Sequence, residues 1–322
     1  MGHGSYQASD WAKLKNSRGI NNASDSGQIF QKNKLDDKFD PKLTQYRESC
    51  DSNDSPESTP IIIGFDVTGS MGYLAAEIAK NSLNTTVTEI YDKQPVTNPH
   101  IMCAPFTGPD NSAPLQVTQF EADIRIVEQL LDMWVGFGGN RYSFDSLVWY
   151  FAAKHTKIDC YEKRRKKGFL FCIGDEICGR DEDILTKEMV KRIYDDEIPK
   201  DLTLSKVLEI ASEKYEIFHI VTATQNNNAL GTWQNFIPGR VAELAAEDIQ
   251  YLGEIIISIM QLVNGMDRSA IVSQWPESIQ HIVSKAISTI SPSEIKKAVS
   301  TTSPSGTQKT GAFEKIRRIF RT

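Results

Sequence analysis

Asp66, Thr68 and Ser70 alternate through the run Phe65-Asp-Val-Thr-Gly-Ser-Met-Gly72, directly after the apolar stretch Ile61-Ile-Ile-Gly-Phe65. A carboxylate and two hydroxyls are hard oxygen donors, the set that Mg2+ and Mn2+ take in octahedral geometry. Gly69 lets the chain turn tightly, which aims the three side chains at one place. A single carboxylate holds a divalent ion weakly, so other loops must contribute. Gly136-Phe-Gly-Gly-Asn140 has the glycine density that a close backbone approach requires, and Asn140 or Ser143 would supply an oxygen there. Gly174-Asp175-Glu176 follows the apolar run Phe169–Ile173, which puts Asp175 at a strand end equivalent to that of Asp66.

Such donors converge only on a scaffold that brings separate strand ends together. Ile61, Ile62, Ile63 and Phe65 form a continuous apolar run, the pattern of a strand buried on both faces. Further strands are expected at 100–106, 115–120, 168–173 and 216–223, with a weaker one at 249–252. Between them, Val127, Leu130, Leu131 and Trp134 fall at i, i+3, i+4 and i+7. Phe144, Leu147, Val148, Phe151 and Ala152 repeat that helical stripe. Strands alternating with amphipathic helices predict an α/β fold, with a doubly wound, mostly parallel sheet and helices on both faces. The turn-rich Thr107–Pro114 segment joins 101–106 to 115–120 and predicts one antiparallel edge strand. In open parallel sheets ligands sit beyond the carboxyl ends of the strands, where the oxygen cluster falls.

The chain has 322 residues and a formal charge of −6, with 40% hydrophobic and 24% charged residues, a composition normal for a soluble globular protein. The acidic balance gives no support for a nucleic-acid partner. Cys50, Cys103, Cys160, Cys172 and Cys178 are scattered without a C-x2-C pair, which disfavours structural zinc and a disulfide scaffold. With a polar start and no apolar stretch long enough to span a bilayer, a cytoplasmic location is expected. Composition divides the chain into a polar arm, 1–57, partly extended; an α/β domain, 58–265; a helical addition, 266–298; and a flexible tail, 299–322, with a basic amphipathic end. That basic end could dock on a partner.

Phe65-Asp-Val-Thr-Gly-Ser-Met-Gly72 resembles the metal-ion-dependent adhesion site of the von Willebrand factor type A domain, whose signature is D-x-[ST]-x-S. The resemblance covers roughly residues 58–265 and is to prokaryotic stand-alone members in particular. It implies metal-ligand roles for Asp66, Thr68 and Ser70 in the first loop and for Asp175 in the third. Where the family usually has Thr in the second loop, this chain has Asn140, so the second-loop ligand is Asn140 or Ser143. The resemblance further implies a non-enzymatic protein-binding module. Its Mg2+ or Mn2+ keeps an open coordination position for an acidic group of a partner protein. Many prokaryotic members work beside AAA+ ATPases, which makes such an ATPase a candidate partner.

Other readings compete. Ser or Thr ahead of a helix can serve as an N-cap without any metal. A metal-dependent hydrolase acting on phosphate esters would use the same strand end, as in D-x-D-x-[TV] phosphatases. Thr68 replaces the second Asp of that motif, however, and the general acid is then missing. Thr68-Gly-Ser-Met-Gly72 falls one residue short of a nucleophile elbow. His219 sits inside an apolar strand and reads as a core histidine; His281 has no acidic partner implied. Lys163-Arg-Arg-Lys-Lys167 is either a solvated loop before a buried strand or a contact for phosphate or an acidic partner.

Overall fold

A computed structural model of the chain describes residues 8–21, 24–79, 83–135, 142–179, 183–223 and 228–291. The strands are β1 (Arg47–Ser49), β2 (Thr59–Asp66), β3 (Pro99–Phe106), β4 (Thr156–Ile158), β5 (Gly168–Gly174), β6 (Tyr215–Ala223) and β7 (Val241–Ala245). The helices are α1 (Ala8–Arg18), α2 (Ser26–Ile29), α3 (Gly72–Glu77), α4 (Leu83–Lys93), α5 (Arg125–Leu131), α6 (Asp145–Lys154) and α7 (Asp159–Arg164). They continue with α8 (Lys187–Tyr194), α9 (Leu204–Ala211), α10 (Ala229–Phe236), α11 (Leu252–Val263), α12 (Arg268–Ser273) and α13 (Glu277–Ile287).

The main sheet has the order β3-β2-β5-β6-β7 and every pair in it is parallel. Side chains alternate between its faces, so each strand feeds two cores. Ile61, Ile63 and Phe65 of β2 point into one, together with α3, α4, α5, α11 and α13. Ile62 points into the other, with α6, α8, α9 and α10. Ile61, Ile62 and Ile63 are at most 2% exposed, and burying each contributes about 1.5–3 kcal/mol. This is the doubly wound α/β architecture that the alternation of patterns predicts.

The edge beyond β3 follows its expectation only in direction. Residues 114–121 run antiparallel to β3, with bridges at Phe106–Leu115 and Ile101–Glu121. No regular ladder joins the two bridges. Pro105 has no N–H to give, and the Cys103 N–H goes to the Thr118 hydroxyl at 2.9 Å rather than to a carbonyl. The strand expected at 249–252 is wrong. Those residues lie in a 3-10 turn, Ala246–Tyr251, and the start of α11, while the fifth parallel strand is Val241–Ala245. Val241-Ala-Glu-Leu-Ala245 is short, with two alanines and a glutamate among its five residues, and its apolar signal is weaker than that of the helix that follows.

The arm's conformation, open from sequence alone, is now given in part. Trp11, Ile29, Phe30 and Phe39 are 6% exposed or less and join the core beside α3 and α5. Strand β1 pairs in parallel with β4. Arg47 donates to the carbonyls of Lys38 and Val117, tying the arm to the edge segment. The apolar stretch 255–263 forms most of α11, buried on all sides, and α13 packs against it and β7. All five cysteines are free. Among the described residues, no helix is long and apolar enough to cross a membrane. The tail 299–322, including its basic end, lies outside the described residues.

Candidate metal centre

Numbered one to five in chain order, the parallel strands run 2-1-3-4-5 across the sheet. The winding direction therefore reverses between β2 and β5, and the crevice at that point is where open α/β sheets take ligands. Asp66 ends β2 and Asp175 directly follows β5, so the two carboxylates flank the reversal.

Asp66 is 1% exposed. Its Oδ1 accepts the Thr68 N–H at 2.7 Å, closing an Asx turn that bends the chain out of the strand. Its Oδ2 accepts the Ser143 hydroxyl at 2.7 Å. The Val67 N–H extends the β2–β3 ladder to the Phe106 carbonyl, and the Met71 N–H returns to the Thr68 carbonyl. The residue capping α3 is Met71, which makes no side-chain cap hydrogen bond. Neither Thr68 nor Ser70 therefore occupies the N-cap position of α3 itself.

Both donors to Asp66 named here are neutral. Burial lifts its carboxyl from the ordinary range to about 7. The Ser143 and Thr68 hydrogen bonds oppose that rise, and the Asp175 charge adds to it. A buried carboxylate that feels a second carboxylate's charge and, among the described residues, takes its hydrogen bonds from neutral donors is a place where a cation lowers the free energy. Gly174 lies against this carboxylate, where a Cβ would stand in ordinary van der Waals contact, 3.6 Å from Asp66 Oδ2. These residues fit a hard divalent ion.

The predicted residues divide as follows. Asp66, Thr68 and Asp175 lie together at the strand ends, Asp175 being 8% exposed. Ser70 falls in the 3-10 turn Gly69–Met71, and its side chain is not among those described. Asn140 lies outside the described residues. The second loop reaches the site through Ser143, the alternative to Asn140. Among the described residues, no group of three or more His, Cys, Asp and Glu could hold a metal, so any centre here relies on hydroxyls beside its two carboxylates.

A supporting network escaped the sequence. His219 of β6 is 1% exposed, and its Nδ1 pairs with Asp145 Oδ1 at 2.9 Å at the first turn of α6, two residues past Ser143. Its ring stacks on Trp233 at 3.8 Å. Trp233 Nε1 donates to the Glu176 carbonyl at 3.0 Å, and the Cys178 N–H donates to Thr232 Oγ1 at 3.0 Å. The start of α6, just after the second loop, is thus fastened to β6, and the third loop to α10. Behind them the Ser146 hydroxyl donates to Asp183, whose carboxyl burial lifts to about 8. Asp145 and His219 are 74 residues apart, and no local spacing announces the pair.

No protein-family model matches the chain, and no curated protein matches it. Among solved structures it is similar to the pilus adhesin SpaC from Lactobacillus rhamnosus GG. The open conformation of that adhesin aligns at a TM-score of 0.43 with 8% identity, covering 66% of this chain and 31% of the adhesin. A second structure of the same adhesin aligns at 0.42 with 10% identity over the same shares. The chain therefore spans about a third of the length of the adhesin it matches.

Proposed function

We propose that this protein is a metal-dependent protein-binding module of von Willebrand type A kind. Asp66, Thr68, Ser70 and Asp175 would hold Mg2+ or Mn2+, with Ser143 or Asn140 serving from the second loop. Bound there, the ion supplies an electrophilic coordination position that attracts an acidic side chain of a partner protein. The observation that carries the reading is the buried Asp66 carboxylate at the sheet's reversal point, held by the neutral Thr68 and Ser143 donors and within reach of the Asp175 charge. The chain's own part is to fix that carboxylate through Ser143 and the Thr68 N–H, and to brace the loops through His219 and Trp233. An AAA+ ATPase is the partner class we would examine first, on the strength of the sequence resemblance alone.

The test is affinity capture with the full chain in Mg2+ and in EDTA, beside an Asp66→Asn variant, read by mass spectrometry. A partner retained in Mg2+ and released both by EDTA and by the variant is expected. Phosphatase and esterase assays run on the same samples. Metal-dependent turnover that disappears in Asp66→Asn would replace the binding reading by the hydrolase one.

A further inference from the structure

At the opposite end of the sheet, the first residues of β2, β3, β5 and β6 floor a cavity of about 790 Å3. That lies within the 300–1,000 Å3 typical of small-molecule sites. The ends of α4 and α11 and the loop after α7 wall it in. Two features set it apart. Six described residues other than glycine have left-handed backbone, and four of them line it: Glu57, Gln94, Asn98 and Arg165. Side-chain-bearing residues adopt that conformation at a free-energy cost, and such strain gathers at ligand sites.

The second feature is charge. Arg164, Arg165, Lys166 and Lys167 all line the cavity. Arg164 is answered by Asp51, with Nη1 and Oδ2 in direct contact at 2.5 Å. Glu216 is shared, lying 2.8 Å from Arg240 and only 3.8 Å from Lys167. Burial holds the Lys167 ammonium below its usual pKa, with the Glu216 charge opposing that shift and the Arg240 charge adding to it. Arg165 and Lys166 are exposed. Arg165 ends α7 in a left-handed cap where glycine is the usual residue, its N–H on the Tyr161 carbonyl and the next N–H on the Cys160 carbonyl. The chain therefore places a guanidinium at a position the backbone would give to glycine.

We propose that this cavity binds a phosphorylated small molecule of nucleotide size, its phosphates on Arg165, Lys166 and Lys167 and its apolar part along Val96 and Phe169. Guanidinium and ammonium groups recognise phosphate oxygens through charge-assisted hydrogen bonds, while the apolar wall takes a ring. The site is separate from the candidate metal centre and independent of it.

The experiment is calorimetric titration of the full chain with ATP and with pyrophosphate, at low ionic strength in EDTA. The wild type is compared with an Arg165→Gly/Lys166→Gln double variant and with Asp66→Asn. Arg165→Gly relieves the left-handed strain, so the double variant should melt no lower than the wild type. Expected are one ATP per chain, affinity reduced about tenfold or more in the double variant, competition by pyrophosphate, and no change in Asp66→Asn. Absence of binding to the wild type, equal binding to the double variant, or loss in Asp66→Asn would overturn the proposal. So would a polyglutamate peptide that displaces ATP more strongly than pyrophosphate does, because the surface would then serve an acidic protein.

Discussion

Two carboxylates in this molecule respond to pH in opposite directions. Burial lifts Asp66 to about 7, so between the ordinary carboxylate pKa and that value the folded chain holds a proton that the unfolded chain has released. Metal-free protein should therefore lose stability as pH rises from about 4 to 7, by a few kcal/mol at most. Asp66→Asn should flatten that slope, as thermal melts in EDTA across this range will report. Asp51 behaves conversely. The Arg164 guanidinium beside it, with Ser58 assisting, holds its carboxyl down to about 2. The stability it contributes is complete above its unfolded pKa and is lost as pH falls from about 4 towards 2. For this partly exposed pair the expected amount is about 1–2 kcal/mol. Acid denaturation of Asp51→Asn beside the wild type measures it, and an unchanged acid limb would count against the pair. The short spacing of Asp66, Thr68 and Ser70 made the first of these groups legible in sequence. Nothing near Asp51 in the chain names Arg164, which lies 113 residues on.

At the scale of elements, the helices do unequal work. Helix α6 carries the second loop, and the Asp145–His219 pair fixes its first turn against β6. Removing one member of a buried pair strands the other, which costs about 3 kcal/mol or more. His219→Ala should therefore destabilise the fold by that amount and also weaken metal binding about 10- to 100-fold, as loss of an orienting residue does. Denaturant melts and Mn2+ titration read the two effects separately. Gly253 of α11 is a contrasting control. A Cβ there would lie 2.5 Å from Thr86 Oγ1 and 3.0 Å from Thr86 Cα, so the glycine is what lets α11 press against α4. Gly253→Ala should cost about 1–3 kcal/mol by overpacking while leaving metal affinity unchanged. An equal loss of metal affinity in both variants would deny His219 a specific part. The long apolar runs of β2, β5 and β6 could be read directly because strands buried on both faces have one pattern. The weak signal of Val241–Ala245 could not compete with the apolar helix behind it, and the edge at 114–121 turns on single N–H groups, Pro105 having none and that of Cys103 going to the Thr118 hydroxyl, which apolar patterning does not reveal.

Over the whole molecule, one sheet presents acidic oxygens at the carboxyl ends of its strands and a basic cavity at their amino ends. The arm that composition marked as polar contributes Trp11, Ile29, Phe30 and Phe39 to the core. Four large apolar residues spread over nearly thirty positions give no periodic signal, yet each finds the same face of the sheet. The winding order, more than any one residue, brings Asp66 and Asp175 to the same crevice; alternation of strands and helices implied a doubly wound parallel sheet, while the order itself is set by the tertiary packing. Calorimetric titration of Mn2+ into the full chain and into Asp66→Asn tests the central claim most directly. The account predicts one ion per wild-type chain and none for the variant, with both folded by circular dichroism. An absence of binding to the wild type at millimolar Mn2+, or undiminished binding to Asp66→Asn, would contradict it.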